Sequence, residues 1–171
     1  MARRVFFSFH YQQDIERASR VRDTWRLSGE ASIVLDPDSW EAIKRQGPAT
    51  IKSWILRQMD DTSVTVVLIG EHTASRRYVK FEVERSLGEG KGILGIYIDG
   101  IRDSQGQTSA RGRNPLDGFT AGVPELIFGP LHGGRIAKQM SPVLRTYDWV
   151  RDDGESHLAA WVEEAACMVG R

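Results

Sequence analysis

The chain has one cysteine, Cys167, so it can form neither an internal disulfide nor a multi-cysteine zinc site. A lone thiol fits a reducing compartment, and the expected location is cytoplasmic. No apolar run comes near the ~20 residues a membrane span needs. Behind Met1-Ala2-Arg3-Arg4, the residues Ser8, His10 and Gln12 interrupt the apolar stretch before a signal segment can form. Charge of one sign is also lacking. Lysine plus arginine number 23 and aspartate plus glutamate 23, giving a net charge of zero. Nucleic-acid binders draw most of their affinity from a basic excess, so neither nucleic acid nor an anionic membrane is expected as the main partner. There is no HExxH, no GxSxG and no GxxxxGK[ST], and no GxGxxG follows the first apolar run. Metal catalysis, acyl transfer and triphosphate hydrolysis therefore lack support, and no metal site is expected.

What is present is the material of one soluble globular domain: 171 residues, 40% hydrophobic and 27% charged. Short apolar runs alternate with helical periodicity, the mark of a parallel sheet flanked by helices. Val5 to Phe9 reads as the first strand. Asp14 is a candidate cap for the helix carrying Ile15, Ala18, Val21 and Trp25, and Gly29 is its stop. Ser32 to Leu35 is a second strand, followed by the loop Asp36-Pro37-Asp38-Ser39-Trp40. Pro48 suits a first helical position, with Ile51, Trp54, Ile55 and Met59 as the buried face. Val64 to Ile69 is a central strand, a helix spans about Arg77 to Glu89, and Ile93 to Ile98 is another buried strand. A long irregular segment covers about 99–142. Val143 to Val150 is the last strand, and a closing helix carries Leu158, Trp161, Val162, Ala165 and Val169. The sum is a flavodoxin-like three-layer α/β fold with a five-stranded parallel sheet in the order 2-1-3-4-5.

In such a sheet, ligands sit beyond the carboxyl ends of the strands, where strand order reverses. That rim should carry His10 and Tyr11, then Asp36 to Trp40, then Gly70 to His72. Within the helix from Arg77, Val79, Val83 and Ser86 share one face. Glu82 sits on the edge of that face, while Glu84 and Arg85 point to solvent. A carboxylate beside an apolar stripe must be paired or have a task. Two readings stand: Glu82 bridges Arg76 or Arg77, or it performs chemistry.

Tyr78-Val79-Lys80-Phe81-Glu82-Val83-Glu84-Arg85-Ser86, followed by Gly90-Lys91-Gly92-Ile93-Leu94-Gly95-Ile96, resembles the signature of TIR domains. Val5-Phe6-Phe7-Ser8-Phe9-His10-Tyr11 resembles their first box. Together with Thr65 to Gly70, Gly112-Arg113-Asn114-Pro115 and Tyr147-Asp148-Trp149-Val150, these segments are similar to the TIR-like subunits of Thoeris antiphage systems. The resemblance spans nearly the whole chain. Many TIR domains have Trp where this chain has Tyr78. The resemblance implies a single TIR-like domain over 1–171. It also implies an enzyme that treats NAD as a substrate rather than a bound cofactor, cleaving its N-glycosidic bond and releasing nicotinamide. Glu82 then stands at the catalytic glutamate position. The product is ADP-ribose where water captures the ribose carbon, or a cyclic signalling nucleotide where water is excluded. Such a nucleotide activates a partner effector.

Ser8, Phe9, His10, Tyr11, Asp36 and Trp40 are the candidate substrate-binding residues. Several have plainer readings. His10 can be a satisfied structural histidine, Trp40 a loop anchor, Asp36 a turn former beside Pro37, and Ser8 an ordinary strand residue. Arg111 and Arg113 can meet a diphosphate or lie solvated. The rival functions are a non-catalytic TIR-like interaction module and a nucleoside deoxyribosyltransferase-like enzyme. Because TIR domains often complete their site with a neighbouring copy, self-association on activation is also expected.

Overall fold

The computed structural model describes residues 3–27, 29, 42–43, 45–120 and 144–171. Four strands form one parallel sheet: β1 (Val5–Ser8), β2 (Val64–Ile69), β3 (Gly92–Tyr97) and β4 (Arg145–Asp148), hydrogen-bonded in that order. The described sheet therefore has four strands where five were expected. The expected strand Ser32 to Leu35 lies outside the described residues, as do Asp36 and Trp40. The helices are α1 (Tyr11–Leu27), α2 (Pro48–Met59), α3 (Arg77–Gly88), the single turn α4 (Asp117–Thr120) and α5 (Gly154–Met168). This is an α/β architecture with a parallel sheet, consistent with a flavodoxin-like fold. No helix among the described residues is long and apolar enough to cross a membrane.

Period-two alternation sorts the side chains into three layers. Val5, Phe7, Val64, Val66, Leu68, Leu94 and Ile96 meet α1 and α5 through Ala18, Val21, Trp25, Leu158, Trp161 and Val162. On the opposite face, Val67, Ile69 and Ile93 pack on Val79, Val83 and Leu87 of α3. Phe6 packs there on Ile51, Trp54, Ile55 and Met59 of α2. The α5 layer presses close to the sheet. A Cβ at Gly92 would stand 2.5 Å from the Ala165 carbonyl oxygen, so only glycine fits there.

The turn between α3 and β3 follows from its residues. Gly90 takes a left-handed φ of 61°, which lets the Lys91 and Gly90 amides close the helix end on Ser86 and Leu87 carbonyls. Lys91 is buried, and its ammonium donates to the Met59 carbonyl at 2.6 Å, where it neutralises the carbonyl end of α2. It also pairs with Glu89 at 2.8 Å, and that pairing holds the Glu89 carboxyl below its ordinary pKa against the opposing effect of burial.

Two local expectations are corrected. Helix α1 begins at Tyr11, three residues before Asp14, whose amide already donates to the His10 carbonyl. Asp14 is thus no cap. It is buried inside the first turn against Gly70, where a Cβ would collide with its carboxylate. The last strand covers Arg145–Asp148 and stops short of Trp149 and Val150, while the expected start, Val143, lies outside the described residues. Within the irregular segment, residues 99–116 are fixed to the body. Arg17 donates to the carbonyls of Ile101 and Gln107, and Gly112 lies directly on the backbone of Gly70 and Glu71.

Candidate active site

On β1, Phe6 and Ser8 face the α2–α3 side, while Val5 and Phe7 face the other. On α3, Val79, Val83 and Ser86 are buried and Glu84 is exposed, as the helical phase requires. The two patterns bring Ser8 and Glu82 together. The Ser8 hydroxyl donates to Glu82 Oε2 at 2.5 Å. Glu82 is only 7% exposed, and burial pushes its pKa from 4.5 up to about 8, with the Ser8 bond pulling the other way. The alternative pairing is not observed. Arg77 instead lies over the Tyr78 ring at 4.6 Å and donates to its hydroxyl at 2.7 Å. Below the carboxylate, Ser86 donates to the Glu82 carbonyl and shares a buried hydrogen bond with Thr65, each at 2.7 Å. These bonds fix the turn of α3 that carries Glu82.

Glu82 lines a cleft of about 190 Å³ at the carboxyl end of β1. Phe9, His10 and Tyr11 form one wall, and Trp54, Tyr78 and Val79 another. His10 is 6% exposed, and its Nδ1 has no hydrogen-bond partner among the described residues. Burial, then the nearby Arg76 charge, lowers its pKa, although a hydrogen bond with Gln13 opposes this, so the ring is neutral at neutral pH. Of the candidate residues, Ser8 contacts Glu82, and Phe9, His10 and Tyr11 line the cleft.

Trp54, Tyr78, Gln12 and Arg76 also line it. Trp54 and Tyr78 read in sequence as packing aromatics, because helical spacing reports a buried face but not what lies at its end. Arg111 does not reach the cleft lining. Its guanidinium stacks on Tyr97 at 3.6 Å and pairs with Asp148 at 2.7 Å, and that pairing raises its pKa. His72 and Thr73 serve the turn into α3. The Gly70 amide donates to Thr73 Oγ1, and His72 stands at the exposed start of the short 3₁₀ turn. Among the described residues, no cluster of three or more His, Cys, Asp or Glu side chains could hold a metal ion.

The cleft thus presents one buried carboxyl group, held by a strand-end hydroxyl and walled by aromatic rings. Such a group can stabilise positive charge that develops on a bound molecule. Comparison with known proteins agrees in kind. Residues 6–103 match the family described as Thoeris protein ThsB, TIR-like domain. A protein of Bacillus cereus (strain MSX-D12), named "Putative cyclic ADP-D-ribose synthase ThsB1", is 36% identical over 191 aligned residues, which cover 95% of this chain and 100% of that protein. The chain belongs to the ThsB family of TIR-like Thoeris proteins.

Proposed function

We propose that this chain cleaves the N-glycosidic bond of NAD and converts the ADP-ribose portion into a cyclic signalling nucleotide. The observation that carries the reading is the buried Glu82 carboxyl, held by Ser8 at the end of an aromatic-walled cleft. Nicotinamide leaves from a cationic pyridinium as a neutral molecule, so no strong general acid is required. The bond between the ribose carbon and the ring nitrogen breaks, its electron pair stays on nitrogen, and the ribose carbon becomes oxocarbenium-like. An ionised carboxylate beside that carbon stabilises the charge and holds the ribose hydroxyls. The cationic substrate also favours loss of the proton from Glu82. Capture of the ribose carbon by water gives ADP-ribose and a proton. Capture by another nucleophilic atom of the same ADP-ribose unit gives a cyclic product and a proton, and exclusion of water favours this outcome. The name of the Bacillus cereus relative supports the cyclic product, and a family role in Thoeris defence supports an effector that reads it.

Roles follow for the candidate residues. Glu82 is the catalytic carboxylate, Ser8 positions it, and Phe9, His10 and Tyr11 hold the nicotinamide–ribose end. Asp36 and Trp40, which lie outside the described residues, are proposed to complete the site. NAD is consumed, and no further cofactor takes part. Purified protein incubated with NAD should release nicotinamide, resolved by chromatography. Glu82→Gln should lower that release by at least roughly a hundredfold, whereas Glu84→Gln, on the solvent face, should leave it unchanged. Equal loss in both variants, or full activity in Glu82→Gln, would overturn the role given to Glu82, and no nicotinamide release from the wild-type protein would return the chain to a non-catalytic interaction role.

A further inference from the structure

Residues 70–76 lead from β2 into α3, and the first turn of α1 sits on that turn through one buried side chain. Asp14 is 2% exposed, and a Cβ at Gly70 would collide with its carboxylate, so the carboxyl group lies directly on the Gly70 backbone. It also hydrogen-bonds Thr73, whose Oγ1 accepts from the Gly70 amide at 2.9 Å. The turn cannot retreat on its other side. A Cβ at Gly112 would overlap the Gly70 carbonyl oxygen, so backbone closes that face. Both walls of the cleft depend on this contact. The Asp14 amide donates to the His10 carbonyl at 2.9 Å, next to Tyr11 at the start of α1, while the chain beyond Thr73 runs into α3 and Glu82.

The seat is made for an uncharged carboxyl group. Asp14 Oδ2 has no hydrogen-bond partner among the described residues. The charged and titratable groups around it are Arg17 on its own helix and Glu71 and His72 on the turn. Arg17 is committed elsewhere: it donates to the Ile101 and Gln107 carbonyls and pairs with Asp103 at 3.2 Å. Glu71 and His72 are exposed and lie 3.6 Å apart. Burial therefore dominates and pushes the Asp14 pKa from 3.8 up to about 6, with Arg17, Thr73 and His72 opposing and Glu71 adding to it. An ionised carboxylate needs water or a partner, and movement of α1 off Gly70 supplies water. We propose that Asp14 is a positioning residue for the cleft: its protonated carboxyl group seats α1 on the turn into α3, and loss of the proton loosens that seat. The consequence for catalysis rests on the NAD-cleaving reading; the seat itself does not. In the loosened state His10 and Tyr11 shift relative to Glu82. Turnover then falls as pH rises through about 6, counter to the gain that ionisation of Glu82 brings.

Nicotinamide release at saturating NAD is to be compared between the wild type and Asp14→Asn, which keeps the size of the side chain and cannot ionise. Taking the ratio of rates at each pH removes the titration of Glu82 and His10, which both proteins share. The ratio of variant to wild type should be close to one near pH 5 and rise through about pH 6 to a plateau at least about twofold higher. Asp14→Ala, which leaves the seat empty, should be slower than Asp14→Asn by the same factor at every pH. His72→Gln removes the exposed imidazole on the turn and should keep the wild-type step. Amide hydrogen exchange, corrected for its intrinsic pH dependence, adds a readout that needs no turnover. In the wild type, protection of the Gly70 and Thr73 amides should fall across the same interval, and in Asp14→Asn it should not. A flat ratio of rates, or a fall in protection that persists in Asp14→Asn, overturns the proposal. So does failure of Asp14→Asn to fold, because a seat built for the neutral form accepts the amide. If the exchange step is present and no protein releases nicotinamide, the substrate reading falls and the seat remains.

Discussion

Glu82 keeps its proton in the folded chain at pH values where an exposed glutamate has lost it. Burial raises its pKa from 4.5 to about 8, and the Ser8 hydroxyl offsets only part of that. The consequence for stability has a definite sign. Below pH 4.5 the folded and unfolded chains both hold the proton, and no penalty exists. As pH rises toward 8 the unfolded chain releases it and the folded chain does not, so folding loses free energy throughout that window. At neutral pH the loss amounts to up to about 3 kcal/mol. Glutamine keeps the shape and removes the ionisation. Glu82→Gln should therefore melt several degrees above the wild type at pH 8, with the gap closing toward pH 4.5. Calorimetric melts at both pH values check this. A variant less stable than the wild type at pH 8 would mean that the carboxylate is compensated in the fold. The same residue shows what the sequence could and could not convey. Its place on the edge of the apolar face follows from helical phase alone. Its partner, Ser8, is 74 positions away, and no periodicity encodes which strand residue meets which helical turn.

At the scale of elements, legibility followed burial. Val64–Ile69 is fully buried, and its β-branched run marks it plainly as a central strand. The faces of α2 and α5 were equally clear, because Ile51, Trp54, Ile55 and Met59, and Leu158, Trp161, Val162 and Ala165, recur at helical spacing. Asp14 misled, since a carboxylate in a first turn looks like a cap when the preceding His10 and Tyr11 give no start signal. The arginines of the long loop were ambiguous for a different reason. Arg111 is committed to Tyr97 and Asp148, contacts created by the approach of distant segments. Gly92 makes the packing of elements testable. A methyl group there would meet the Ala165 carbonyl, and backbone cannot yield as a side-chain tip can. Overpacking of this kind costs about 1–3 kcal/mol. Gly92→Ala should thus lower the melting temperature by roughly 3–10 °C. Gly88→Ala, at a helical glycine with open space around it, should not lower it at all. Similar melting temperatures for the two variants would show that α5 can move off the sheet.

At the scale of the molecule, the cleft formed by the described residues is smaller than its proposed substrate. The cleft holds about 190 Å³, below the ~300–1,000 Å³ of sites that enclose a drug-sized ligand. That space suits the nicotinamide–ribose end, and Arg76 and Gln12 at its edge are exposed. A dinucleotide bound there leaves its remainder in water unless another surface covers it. Cyclisation needs that cover, because water competes for the ribose carbon. A second copy of the chain is a physically ready source. With 23 basic and 23 acidic residues, no net charge opposes the approach of identical molecules. Two outputs should then depend on concentration. Nicotinamide released per chain should rise as the protein is concentrated over about two decades at fixed NAD, because association follows mass action. The share of cyclic product should rise with it, as pairs form and exclude water from the ribose carbon. Rate measurements alongside sedimentation at the same concentrations make the comparison direct. A rate strictly proportional to protein, a constant product ratio and a monomer throughout would mean that each chain closes its own site.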